Sequence, residues 1–132
     1  MKYVAGGFYI VALENAPGAK LLSPDHLNLA LNPRQIIRIR CQNHTPAARM
    51  AIRFTTAADG AWDDAKSRAF AVTANDDECR EYVVDLAQVP GWAGELRQLR
   101  LDLTAGEAAT GTVRIDFIRI ENPKAEAKSG LP

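Results

Sequence analysis

The sequence predicts an all-β domain, an antiparallel β-sandwich of jelly-roll type. Short runs alternate apolar and polar residues, breaks rich in Gly, Pro, Asn or Asp separate them, and no segment repeats apolar residues at helical spacing. Alternation puts one strand face in a core and the other toward water, and about eight such runs suit two packed sheets.

The first run covers residues 6–13 and closes at Asn15-Ala-Pro-Gly18, a turn composition. Leu27, Leu29 and Leu31 then alternate with Asn28 and Ala30, and Asn32-Pro33 stops that strand. Further strands are expected at 35–41, 50–56, 68–73, 80–86, 96–103 and 112–120. Met50, Ile52 and Phe54 face opposite to Arg49, Ala51, Arg53 and Thr55. With the leucines of 27–31, they join Ile37, Ile39, Phe70, Val72, Leu99, Leu101, Val113, Ile115 and Phe117 in the expected core. Residues 61–69 hold at most a turn of helix. Residues 1–122 form one domain, and the polar stretch 123–132 reads as a tail or linker. If successive strands reverse, loops 57–66 and 87–95 share one end of the sandwich, and loops 42–48, 74–79 and 104–111 share the other.

The 132 residues carry 16 basic and 16 acidic side chains, so no bulk field draws nucleic acid or an anionic membrane. No apolar run reaches membrane-spanning length. Residues 1–13 faintly mimic a signal peptide, but two glycines and the following Glu14-Asn-Ala-Pro make a poor cleavage site, so they read as a strand. Localisation stays open; secretion or surface display as part of a larger protein is compatible. Cys41 and Cys79 are too few for a disulfide framework and lack metal spacing. A bridge between them is geometrically open, but two lone thiols are the favoured reading.

Arginine outnumbers lysine and much of it falls inside expected strands, where it can ion-pair across a face or fork onto a ligand. Arg100 and Asp102 share a face, and Asp116 lies mid-strand. Paired carboxylates can run acid–base chemistry, but beside arginines they read as structural ion pairs. His26 and His44 are isolated in the sequence, which shows no orienting group for a general base, and no serine sits in a nucleophile elbow. No Gly-rich phosphate loop or basic–aromatic stripe supports nucleotide or nucleic-acid binding.

The candidate ligand-binding residues are Trp62, Asp59, Asp63 and Asp64 in one loop and Trp92 in the loop beside it. An open indole face is a platform for a sugar ring, with flanking carboxylates and guanidiniums for its hydroxyls. The competing reading is that each indole caps a sandwich end, which has most force for Trp92 between Pro-Gly and Ala-Gly. The three aspartates also offer oxygens to calcium, although their spacing is not that of an EF-hand loop. Asn75-Asp-Asp-Glu78 falls at the opposite end, so the two acidic clusters do not build one metal site.

Tyr82-Val-Val-Asp85, Trp92, Gly94, Leu99-Arg-Leu-Asp102, Gly111 and Ile115-Asp116 with Ile118 resemble the C-terminal half of galactose-binding-like β-sandwich domains. Ala51-Ile-Arg-Phe-Thr-Thr56 and Phe70 also fit. Such domains accompany bacterial carbohydrate-active enzymes as carbohydrate-binding modules. The resemblance implies a non-catalytic module with a glycan or oligosaccharide ligand, no cofactor, and a structural calcium as an option. The alternative is a structural or protein-interaction sandwich that docks a neighbouring domain or a second copy.

Overall fold

The computed structural model describes residues 2–5, 8–15, 19–23, 26–105 and 107–122. Its strands are β1 (Lys2–Ala5), β2 (Phe8–Leu13), β3 (Lys20–Leu22), β4 (Leu29–Leu31), β5 (Ile36–His44), β6 (Arg49–Thr56), β7 (Ser67–Ala71), β8 (Arg80–Asp85), β9 (Gly94–Asp102) and β10 (Gly111–Glu121). The described residues contain no helix. The 123–132 tail, most of the expected 15–18 turn, and Gly6 and Gly7 of the first expected strand lie outside the described residues.

One sheet has the order β1-β2-β10-β5-β8, and the other β3-β9-β6-β7 with β4 also on β9; every pairing is antiparallel. Strands β3 and β4 sit end to end along one edge of β9, with Leu21 opposite Leu101 and Ala30 opposite Glu95. Treated as one interrupted strand, they give facing orders β2-β10-β5-β8 and β3/β4-β9-β6-β7. That is the interleaving of a jelly roll, with β1 added outside β2. The interruption has a local cause. His26 and Asn28 take left-handed φ values of 61° and 54°, which no strand residue adopts. Amide donation from Ser23 to Leu99 O and from Leu27 to Arg97 O keeps the broken segment on β9.

The core follows the alternation. Ile37, Ile39, Met50, Ile52, Phe54 and Val113 are fully buried, and Leu99 and Leu101 nearly so. Phe117 is a correction. A bulge between Ile115 and Phe117 shifts the β10 register, so Ile118 and Ile120 pack inward and Phe117 turns out. There the Arg119 guanidinium lies 3.8 Å from its ring centroid. Leu29 is a second correction: on an edge strand of three residues it remains 43 % exposed.

The two loop groups occur as the reversal of strands requires. Ala57 N–H donates to Glu95 O, joining loops 57–66 and 87–95 at one end. At the other, the buried Asn43 amide donates to Ala47 O and Thr73 O while accepting from the Thr45 hydroxyl. Gly111 completes that end; at its φ of 147° a Cβ would stand 2.1 Å from His44 O, so only glycine fits.

Candidate functional site

Because Met50, Ile52 and Phe54 fill the core, Arg49, Ala51 and Arg53 point out from the second sheet. Register places Ala51 between Ala69 and Asp102, and Arg53 between Ser67 and Arg100. Lys20 extends the first row beside Asp102. Alanines in the middle and long charged side chains around them leave a trough of about 380 Å³, lined by Lys20, Arg49, Arg53, Arg100, Asp102 and Glu107 among others.

An ionic chain crosses one end of this trough. Arg53 donates through Nη1 to Asp64 Oδ1 at 2.6 Å and through Nε to Asp102 Oδ2 at 2.9 Å. Arg100 donates through Nε to Asp102 Oδ1 at 2.8 Å and through Nη2 to Oδ2 at 3.1 Å. One carboxylate thus fixes two guanidiniums, in the fork geometry that Arg makes with carboxylates. The bond to Asp64, with Asp102 behind it, raises the Arg53 pKa above its ordinary value against the desolvation that opposes it. Arg100 in turn lies with Cζ 5.1 Å from the Trp62 ring centroid, within cation–π range. Trp62 remains 38 % exposed.

The loop that carries Trp62 is built by its own aspartates. Asp59 Oδ1 accepts from Ala61 N–H at 3.1 Å and Asp63 Oδ1 from Ala65 N–H at 2.9 Å, which are Asx turns. Lys66, only 5 % exposed, reaches back under the loop. Its Nζ donates to Asp59 O and Ala61 O and pairs with Asp59 Oδ2 at 3.1 Å. The Ala61 amide, then the Lys66 ammonium, hold the Asp59 carboxyl below the usual aspartate value. Of the three aspartates that could serve calcium, Asp59 is therefore tied to an ammonium, Asp63 to the Ala65 amide and Asp64 to the Arg53 guanidinium. Among the described residues, no three His, Cys, Asp or Glu side chains converge as metal ligands.

The expected site residues separate. Trp62 and Asp64 stand at the trough, Asp59 and Asp63 shape the loop, and Trp92 is a correction. At 5 % exposure Trp92 packs its ring edge-on to Phe54, with centroids 4.9 Å apart at 86°, and offers no face to a ligand. Asp102 and Asp116 do not form a pair: Asp102 serves the arginines of the second sheet, and Asp116 binds Arg40 at 3.2 Å on the outer face of the first. His44 Nδ1 lies 3.8 Å from Asp77, and His26 sits in the break between β3 and β4. Cys41 and Cys79 are both free thiols. The sequence reading noticed the Arg100–Asp102 face but missed the trough. Its signal was small residues, Ala51 and Ala69, at outward positions between arginines.

No protein-family model matches the sequence, and no curated protein matches it. The fold does have solved counterparts. The chain is similar to a carbohydrate-binding module described as specific for non-crystalline cellulose, CBM28, with TM-score 0.58 and 14% identity over 92% of this chain and 80% of that one. It is also similar to a family 29 carbohydrate-binding module studied for ligand recognition, with TM-score 0.51 and 14% identity over 89% of this chain and 72% of that one. At such identity the likeness establishes the β-sandwich fold.

Proposed function

We propose that this chain is a non-catalytic carbohydrate-binding module that takes an oligosaccharide along the outer face of the β3/β4-β9-β6-β7 sheet. The observation that carries the reading is Trp62, half-open to solvent and backed by Arg100, at the end of a trough lined with hydrogen-bond donors. A sugar ring stacks its C–H face on an indole, while guanidinium and ammonium groups donate to its hydroxyls. Asp64, tied to Arg53 but itself exposed, is left to accept from a hydroxyl at the same end. The similarity in fold to carbohydrate-binding modules supports this reading. So does the separation of Asp102 from Asp116, which rules out that pair as acid and base.

Affinity electrophoresis against a panel of soluble polysaccharides tests it. Retardation by at least one polymer, lost in W62A, is expected. No retardation across the panel would overturn it and leave the docking-domain alternative, which sedimentation of the free chain would then address.

A further inference from the structure

In a chain of zero net charge, the trough gathers cations: Lys20, Arg49, Arg53 and Arg100 against Asp102 and Glu107. Lys20, Arg53 and Arg100 are all engaged. Arg53 and Arg100 share Asp102, and Arg53 also holds Asp64. Arg49 is not committed. Its side chain is exposed and makes no ion pair or side-chain hydrogen bond with any described residue. Its cross-strand neighbour is Ala71, and the trough floor beside it is Ala51 and Ala69, none of which can reach a guanidinium. The fork is therefore free to bind, and a planar fork of donors matches a carboxylate in two parallel hydrogen bonds. Lys20 lines the same trough, and among the described residues of its lining the acids are Asp102 and Glu107.

Arg49 and Trp62 also stand at a useful separation. Trp62 lies over Arg100, which pairs in register with Arg53. Four residues of β6 separate Arg53 from Arg49, about 13 Å at 3.3 Å per residue. A glycan stacked on Trp62 reaches Arg49 only by running along the alanine floor for more than one ring.

We propose that the trough selects glycans that carry a carboxylate, that is, oligosaccharides containing uronic acid. Arg49 takes the carboxylate. This inference rests on the reading of the chain as a carbohydrate-binding module and adds the class of glycan to it.

The full chain, R49Q and R114Q are run by affinity electrophoresis. The gels contain polygalacturonate, alginate, the carboxyl-reduced neutral form of each, or hydroxyethylcellulose. Arg114 is an exposed arginine of β10, in the other sheet, so R114Q removes the same charge away from the trough. At least one acidic polymer should bind about tenfold more tightly than its reduced form, the scale of a hydrogen bond to a charged group. R49Q should abolish that preference while keeping the melting temperature, and R114Q should behave as the parent protein. Equal binding of acidic and reduced polymers overturns the selectivity and leaves glycan binding standing. A preference that survives R49Q, or falls equally in R114Q, overturns the role of Arg49. No retardation by these or any other glycan overturns both the selectivity and the module reading.

Discussion

The Arg100 guanidinium lies 5.1 Å from the ring centroid of Trp62, and Asp102 holds that guanidinium with both carboxylate oxygens. Trp62 is thereby placed by a strand rather than by its own loop alone. A stacking residue positioned in advance gives up less freedom on binding, which favours affinity.

Trp92 serves stability instead. Trp92→Ala should cost about 3–5 kcal/mol, as Phe54→Ala should, because both vacate the same buried edge-to-face contact. The Trp92 Nε1 donor has no hydrogen-bond partner among the described residues. Trp92→Phe loses no bond to a described residue and vacates less volume, so it should cost less than Trp92→Ala. Urea unfolding of the three variants checks the order; Trp92→Ala as stable as Trp92→Phe would contradict it.

Lys66 is expected to hold the loop of residues 57–66 in shape. Lys66→Met keeps the buried stem but removes the donor shared by Asp59 O, Ala61 O and the Asp59 carboxylate. A loss of about 1–3 kcal/mol is expected, the cost of stranding partly buried acceptors. Faster amide hydrogen exchange should appear in residues 59–66 and not at the Asn43 end. A uniform increase across the whole chain would mean that the lysine supports the fold at large.

Asp76, buried at the opposite end, accepts from Arg80 and from the Glu78 amide. The Arg80 hydrogen bond foremost, with the Glu78 amide, holds its carboxyl below the ordinary aspartate value of 3.8 against desolvation. The unfolded chain therefore takes up this proton first as the pH falls. Stability from Asp76 is complete above the unfolded value and is lost as pH drops through the lower, folded one. Melting temperature followed from about pH 6 to about pH 2 should fall below roughly pH 4. Asp76→Asn should start lower and show a shallower acid limb; an unchanged limb would contradict the assignment.

Burial, with smaller contributions from Cys79 and Asp76, pushes the Cys41 thiol up to about 12. The thiolate is the reactive form, so Cys41 should resist thiol reagents at neutral pH until the chain unfolds. Cys79 is only partly covered and should react first. Two thiols titrated in the unfolded, unreduced protein are expected, and none would mean a bridge.

The fold was legible because period-two alternation is a property of the chain itself. Ile37, Ile39, Met50, Ile52 and Phe54 could be assigned inward from neighbours one and two positions away. Phe117 could not, because the bulge after Ile115 depends on pairing with β5. Strand β3 could not either: three residues leave no period to read. The site was half legible. Loop composition pointed to Trp62, and strand parity put Arg100 with Asp102. That Asp64 reaches Arg53, that Lys66 turns under Asp59, and that Ala51 faces Ala69 are facts of register and tertiary contact. The Pro-Gly and Ala-Gly flanks of Trp92 already favour a cap over a platform, and Trp92 lies buried against Phe54.

The most direct test of the central claim compares the parent protein with Trp62→Ala. Both are measured for melting temperature and for retardation by the polysaccharide that binds the parent most strongly. Trp62 is 38 % exposed and packs on a guanidinium at the surface, so its removal should cost no more than about 1 kcal/mol of stability, the scale of an exposed cation–π contact. Binding should fall at least about tenfold, the scale of losing an aromatic contact surface at a binding site. A variant that melts with the parent but binds as well as it does would contradict the placement of the glycan site at Trp62.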